Sequence, residues 1–232
     1  MLPLKDNIPT EKTAWLTIAL IVANAIVYVL AVRHGGSLWS GPSADVSVRY
    51  GAIPHDLTHP NGRAWETPFT AMFMHGSLLH LAGNMLFLWI FGNNVEDSMG
   101  RLRFIVFYLL GGLAALAGQV LVDPSSTVPT IGASGAIAAV LGGYVVLNPR
   151  ARVVTLVLII FFVTIVELPA LLVLGFWFVL QVVYAQAQVT DPTGGGGGVA
   201  YFAHVGGFVF GLLLIRAFAV HRKRLPPAQP LY

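Results

Sequence analysis

Long apolar runs separated by short polar segments dominate the chain. The first run, from Trp15 to Val32, has the length that a transmembrane helix requires, roughly 20 residues. It ends in Arg33-His34-Gly35-Gly36 and not at a small-residue cleavage site, so we interpret it as an uncleaved first span. Five further runs have the same character. The pattern predicts six spans, at residues 15–32, 78–92, 102–122, 132–147, 169–186 and 200–219.

One more apolar segment, residues 153–167, is rich in β-branched side chains and is short for a span. Pro169 just after it marks a helix start. Basic residues decide the span count, because they accumulate on the cytoplasmic side of membrane proteins. With six spans and a cytoplasmic N-terminus, ten of the thirteen basic residues lie inside, and only Arg33, Arg49 and Arg63 lie outside. We therefore predict that 153–167 is a re-entrant or interfacial piece.

This topology predicts a single polytopic membrane domain over residues 1–232. Its fold class is an all-α membrane protein, a bundle of six transmembrane helices with both termini in the cytoplasm. The outer loop 33–76 carries Trp39, Tyr50 and Trp65, whose rings suit the headgroup region of a bilayer. Residues 220–232 form a short cytoplasmic tail.

Composition supports a membrane protein and limits its chemistry. The chain is 56% hydrophobic and 10% charged, whereas soluble domains carry about 25% charged residues. It has no cysteine, which excludes disulfides, thiolate metal sites and a cysteine nucleophile. A net charge of +3, scattered along the chain, does not indicate a nucleic-acid partner. We expect an integral, multi-pass protein in contact with membrane lipid, in a prokaryotic plasma (inner) membrane.

We single out four polar side chains inside the predicted spans: His80, Asn84, Ser134 and His204. Polar groups are costly in a bilayer, so each is a functional hypothesis. Ser134 lies about three residues into its span, His204 about four, and His80 about three beyond Ser77, a candidate N-cap. At 1.5 Å per residue these three share one depth, in the outer third of the membrane, and Asn84 lies one turn deeper than His80.

Rows of small residues predict which helices meet. They are Ser134, Ala138 and Gly142 on the fourth span and His204, Gly207 and Gly211 on the sixth. Such rows let membrane helices approach closely, which would bring a serine nucleophile to a histidine base. Each polar residue alone also fits an ordinary structural role, in packing or interhelical hydrogen bonding. Four of them at compatible depth favour a functional site.

Other hydrolytic chemistries have weaker support. The chain has no H-E-x-x-H zinc sequence and no Asp inside a span, and Ala136 breaks the G-x-S-x-G pattern around Ser134. A zinc site built from His75, His80 and His204 stays open, although it has no spacing signature.

Three motifs together resemble the rhomboid family of intramembrane serine proteases. They are "GASG" at 132–135, "HLAGN" at 80–84 and "AHVGGFVFG" at 203–211, and their order and topology match the six-span form of that family. The resemblance covers nearly the whole chain. It implies a serine endopeptidase that cleaves transmembrane protein substrates and needs no cofactor and no metal.

The resemblance also implies roles for single residues. Ser134 would be the nucleophile and His204 its general base, without a carboxylate. The side chains of His80 and Asn84, with the backbone N–H of Ser134, would form the oxyanion hole. Gly132 and Gly135 would admit the substrate backbone to Ser134.

Further features of the family correspond less closely. His75 resembles a loop histidine before the second span, and Glu96 resembles an acidic residue that stabilises a turn after it. The glycine run 194–198 would belong to a flexible cap over the site, or would be a plain connector. One departure is Ala138, where many members carry an aromatic residue that stacks on the histidine. Bracing of His204 would then fall to Phe202, Trp177 or Tyr144.

Two alternatives come from other functional classes. A catalytically inactive rhomboid-like protein would bind or escort membrane proteins, although such relatives usually lose the serine or the histidine. A small transporter would use His80 and His204 as a proton relay, but it would need a polar path through the inner halves of the spans, whose only charged residues, Arg103 and Arg216, lie near their cytoplasmic ends.

Overall fold

The computed structural model describes residues 1–59, 64–159, 162–190 and 199–220. The glycine run 194–198 and all but the first residue of the predicted tail 220–232 lie outside the described residues. The main helices are α1 Trp15–Arg33, α5 Leu78–Phe87, α6 Asn93–Met99, α7 Arg101–Val122, α8 Ser134–Leu147, α9 Ala170–Thr190 and α10 Tyr201–Phe218. Helices α5 and α6 are joined by a wide helical turn, Leu88–Gly92, so that residues 78–99 run as one helix.

A helix occupies each of the six predicted spans, with ends that differ by a few residues except in the second, which continues to Met99. Within the described ranges, five helical segments are long and apolar enough to cross a membrane. Helix α8 is the exception, because its 14 residues reach only about 21 Å at 1.5 Å per residue. It lies at the centre of the bundle, with residues 135–144 all buried.

The connection between α1 and α5 contains only short elements. They are the two-stranded pair β2 Gly36–Ser37 and β3 Gly41–Pro42, the helices α2 Ala44–Tyr50, α3 Pro54–Thr58 and α4 Thr67–Thr70, and a 3₁₀ turn Ala71–Phe73. Trp39 and Trp65 are exposed in this connection. Non-helical backbone is tolerated at membrane depth only where protein covers it, and here the connection packs against the start of the central helix.

The prediction of an all-helical chain is wrong for two segments that form a sheet. Residues 153–167, expected to be a re-entrant or interfacial piece, belong to the antiparallel strands β4 Arg152–Ile159 and β5 Phe162–Pro169. The N-terminal strand β1 Leu2–Asp6 pairs antiparallel with β4, in the order β1-β4-β5. The Val, Ile and Thr side chains of this segment favour strands, and a hairpin pairs the backbone of a segment too short to span.

Two buried acidic residues attach the N-terminal region to the bundle. Asp6 Oδ2 accepts hydrogen bonds from Tyr144 Oη at 2.6 Å and from Asn94 Nδ2 at 2.7 Å. Glu96 accepts from the backbone N–H groups of Leu16 and Thr17, at 3.1 and 2.7 Å. A carboxylate is stabilising at the first turn of a helix, where N–H groups lack intrahelical partners. Glu96 therefore caps α1, a more specific role than the predicted stabilisation of a turn.

Helix α8 contacts α10 through small residues. Added side chains at Gly207 and Gly211 of α10 would collide with the backbone oxygens of Gly135 and Ala139, and one at Gly142 with that of Phe208. The predicted approach of these two helices is therefore confirmed, and backbone-to-backbone contact of this kind fixes their register.

Candidate active site

An extended segment leads into α8 and is held by backbone hydrogen bonds to the outer connection. Thr130 and Ala52 exchange backbone bonds at 2.8 and 3.0 Å, and the N–H of Gly132 donates to Ala71 O at 2.9 Å. Helix α8 then starts at Ser134 itself, two residues after the predicted start of the span at 132. The backbone N–H of Ser134 belongs to the first turn, where no intrahelical acceptor exists.

Ser134 and His204 are in direct hydrogen-bond contact. His204 is the fourth residue of α10, as the sequence predicts, and its Nε2 lies 2.8 Å from Ser134 Oγ. The packing of α8 on α10 through glycine determines this distance, because a bulkier residue at Gly207 would push the two helices apart. A serine hydroxyl directed at an imidazole nitrogen is the arrangement of an activated nucleophile.

Gln181 of α9 completes a chain of hydrogen bonds that the sequence analysis missed. Its Oε1 lies 2.8 Å from His204 Nδ1, and its Nε2 lies 3.2 Å from the carbonyl oxygen of Trp177. The Trp177 ring also lies against His204, with 5.8 Å between the ring centroids. An amide in the middle of an apolar helix was a signal for Gln181, by the same reasoning that identified Asn84.

The other two residues predicted to support the His204 ring, Tyr144 and Phe202, face different surroundings. Tyr144 lies ten residues beyond Ser134 in α8, and its hydroxyl donates to Asp6. Phe202 lines a different groove, between α10 and α9. Of the three candidates, Trp177 is therefore the aromatic ring found in contact with the histidine.

His80 and Asn84 line the same cavity as Ser134 and His204. The cavity has a volume of about 520 Å³. Ser77 caps α5 as predicted, because its hydroxyl accepts the backbone N–H of His80 at 3.1 Å. Among the described residues, Asn84 Nδ2 is buried without a hydrogen-bond partner. A buried donor of this kind is available to water or to a polar group that enters the cavity.

Gly132 and Gly135, the two glycines predicted to admit the substrate backbone, have different surroundings. Gly132 has φ +122°, which favours glycine, and a side chain there would lie 2.9 Å from His80 Nε2 and 3.5 Å from Ser134 Oγ. The space left open at Gly132 is thus the space between His80 and Ser134. A side chain at Gly135 would instead meet Ala115 Cβ of α7 at 2.6 Å, so the lack of a side chain there serves helix packing.

His75 supports the ring of His80. It is fully buried just before α5, its Nδ1–H donates to Phe73 O at 3.3 Å, and its ring stands edge-on to His80 with 5.1 Å between centroids. Burial, and to a lesser extent the neighbouring His80, lower the pKa of His75 to about 3. His75 is therefore neutral near pH 7 and adds no charge beside the cavity.

The open alternative of a zinc site finds no support in this arrangement. Both ring nitrogens of His204 face other partners, Ser134 and Gln181. In the parts of the chain that the structure describes, no three His, Asp or Glu side chains are placed to hold one metal ion.

The Rhomboid domain family matches residues 61–221, which is more than half of the chain. The chain belongs to the rhomboid family. With its apolar helices, this makes it an integral, multi-pass membrane protein. The family resemblance drawn from the three motifs is thereby confirmed.

Several relatives align with this rhomboid chain over its membrane domain. It is 32% identical over 136 residues to Rhomboid protease GluP of Bacillus subtilis (strain 168), covering 58% of this chain and 25% of that protein. It is 29% identical over 147 residues to the Presenilin-associated rhomboid-like protein, mitochondrial, of Homo sapiens, covering 61% and 35%. It is 26% identical over 160 residues to RHOMBOID-like protein 6, mitochondrial, of Arabidopsis thaliana, covering 57% and 51%.

These alignments span a quarter to about half of each relative's length. The two eukaryotic relatives have mitochondrial names, and the third comes from a bacterium. The relatives therefore support a membrane protein of the rhomboid family, and they do not support the prediction of a prokaryotic plasma membrane in particular.

Proposed function

We propose that this rhomboid chain is an intramembrane serine endopeptidase that hydrolyses a peptide bond in or near a transmembrane segment of another protein. The observation that carries the proposal is the 2.8 Å hydrogen bond between Ser134 Oγ and His204 Nε2, inside a cavity at the end of the central helix. Membership of a family that includes a protein named as a rhomboid protease supports it.

The first half of the reaction uses His204 as a base. Ser134 Oγ attacks the carbonyl carbon of the scissile bond while its proton moves to His204 Nε2. The tetrahedral intermediate carries its negative charge on the former carbonyl oxygen. When the C–N bond breaks, His204 returns the proton to the leaving amine, and the acyl group stays on Ser134 as an ester.

The second half repeats the chemistry with water. His204 removes a proton from a water molecule as its oxygen attacks the ester carbon. The second tetrahedral intermediate breaks down, the proton passes to Ser134 Oγ, and the carboxylic acid leaves. The cavity must therefore admit water, and its polar lining by Asn84, His80 and the serine itself suits that need.

Charge on the intermediate needs donors already in position. Three donors line one cavity: Asn84 Nδ2, the His80 ring and the backbone N–H of Ser134. Of these, Asn84 Nδ2 has no partner in the described part of the chain. The opening at Gly132 lies between the His80 ring and Ser134 Oγ, where the carbonyl oxygen of a bound peptide would sit. Preorganised donors of this kind supply a large share of catalysis in acyl transfer. We assign His80, Asn84 and the backbone N–H of Ser134 to this role.

The topology proposed with this function has six spans and both termini in the cytoplasm. Helix α8, the fourth span along the chain, is shorter than the other five. We include it among the six because its 14 residues continue an extended segment, so that Ser134 lies below the outer surface. Tags at the N-terminus and after Tyr232 should be accessible only from the cytoplasm, and a tag in 194–198 only from outside. Cleavage of the C-terminal tag by a protease added outside would contradict this orientation.

Gly132 offers a direct test of the space beside Ser134. Gly132→Ala should lower the cleavage rate on the order of 10²-fold, because a methyl group would occupy the proposed oxyanion position and alanine is strained at φ +122°. The matched control is Gly175→Ala in α9, where an added methyl group meets no atom within 4 Å. Equal activity of both variants, measured by cleavage in detergent, would contradict the assignment.

A gel assay with a generic single-span substrate tests the proposal as a whole. The wild-type protein should produce two fragments and Ser134→Ala none. An inactive rhomboid-like protein would instead bind the substrate in both forms without cleaving it. Equal cleavage by the Ser134→Ala protein would refute the proposed nucleophile.

A further inference from the structure

The amide of Gln181 reaches from α9 to His204 on α10. Gln181 is buried in an otherwise apolar stretch of its helix, and its two polar atoms have different partners. Its Oε1 faces His204 Nδ1 at 2.8 Å, and its Nε2 faces the carbonyl oxygen of Trp177 at 3.2 Å. Together with the contact between His204 and Ser134, the side chains form one continuous chain of hydrogen bonds.

The chemistry of these atoms fixes where the hydrogens lie. The Trp177 carbonyl can only accept, so the amide group facing it must be the NH₂. That leaves the Gln181 carbonyl oxygen for His204, and because this oxygen can only accept, Nδ1 of His204 must carry the hydrogen. The lone pair of the neutral imidazole is then on Nε2, directed at Ser134 Oγ. A general base for Ser134 requires this tautomer.

We propose that Gln181 is a positioning residue for His204, an inference that rests on the proposed function. It holds the imidazole in the tautomer and ring orientation that can accept the proton of Ser134. During the reaction that proton moves from Oγ to Nε2, and the Nδ1 proton stays in place. Its hydrogen bond to Gln181 strengthens as the ring becomes positive, because charge-assisted hydrogen bonds are stronger than neutral ones.

Packing alone does not supply this selection. The rings of Trp177 and Tyr201 lie near His204, with centroid distances of 5.8 and 6.3 Å. Ring contacts limit the plane of the imidazole. They do not select between the two orientations related by a half-turn about χ2, in which ring nitrogens and ring carbons exchange places. The Gln181 oxygen makes that distinction.

The test compares the wild-type protein with three variants by the rate at which a fluorophosphonate labels Ser134 in detergent, as a function of pH. Gln181→Met keeps the volume and removes the acceptor, whereas Gln181→Glu keeps an acceptor and adds a charge. The matched control is Gln188→Met, the same substitution on the same helix, where the amide bonds only weakly to Val199 O at 3.5 Å.

Gln181→Met should slow labelling about 10- to 100-fold, the usual effect of one lost buried hydrogen bond to a group that becomes charged. Gln181→Glu should retain labelling within a few-fold of wild type. The acid limb of its pH profile should move to higher pH by about one unit, since a carboxylate stabilises the imidazolium. Gln188→Met should leave both rate and profile unchanged.

Unchanged labelling in Gln181→Met, with an unchanged profile in Gln181→Glu, would overturn the inference. Equal slowing in both variants with an unshifted acid limb would also overturn it, because that pattern indicates packing alone. If thermal melts show that Gln181→Met is unfolded, the position of the acid limb in Gln181→Glu decides. Wild-type protein that labels at a residue other than Ser134 would instead refute the proposed function, and this inference with it.

Discussion

Replacing either Ser134 or His204 with alanine should lower the rate of substrate cleavage on the order of 10⁴-fold or more. The serine hydroxyl is a poor nucleophile without a base, and the base has nothing to activate without the hydroxyl. The two groups share one hydrogen bond of 2.8 Å and act as a unit. The double variant should therefore be hardly slower than either single variant, as measured by fragment yield over time in detergent.

Controls for this experiment come from residues of the same types outside the cavity. Ser125→Ala, in the exposed loop before α8, and His34→Ala, after α1, should cleave at the wild-type rate. Losses that multiply in the double variant would mean that Ser134 and His204 contribute independently, and this would contradict the shared step.

Removing the unpartnered donor of Asn84 should lower kcat about 10²- to 10³-fold with little change in KM. The amide NH₂ is expected to meet the substrate oxygen strongly only when that oxygen carries charge, so its loss affects the transition state more than substrate binding. Asn84→Ala should also fold as well as wild type, because the donor has no partner to lose among the residues that the structure describes. His80→Ala should likewise have a lower kcat with little change in KM.

Thermal melts beside the kinetics distinguish this role from a structural one. A drop in the melting temperature that accounts for the lost activity of Asn84→Ala would identify it as a packing residue. A rise in KM with unchanged kcat would place its interaction in substrate binding and contradict the oxyanion assignment.

The sequence predicted the centre of the bundle well because local rules decide it. The positions of Ser134 and His204 near the starts of α8 and α10 follow from the boundaries of the apolar runs. Their meeting follows from the small residues at Gly142, Gly207 and Gly211, which allow only one close approach. The helix start at Ser77 followed from ordinary capping chemistry.

Features that depend on distant parts of the chain escaped prediction. The pairing of β1 with β4 joins residues about 150 positions apart, and neither strand has a periodicity that names its partner. Glu96 caps α1 because the fold brings it to Leu16 and Thr17, some 80 residues away. Gln181 reaches His204 only because α9 turns that face toward α10, a rotation that the run of apolar residues in this helix does not encode.

Covalent labelling tests the central claim most directly. A serine-directed fluorophosphonate, followed by digestion and mass spectrometry, should modify Ser134 in the wild-type protein and leave Ser77, Ser125 and Ser126 unmodified. His204→Ala should label far more slowly, because Ser134 then lacks the base that activates its hydroxyl. An adduct on one of the other serines, or labelling of Ser134 at the wild-type rate in His204→Ala, would contradict the Ser134–His204 mechanism.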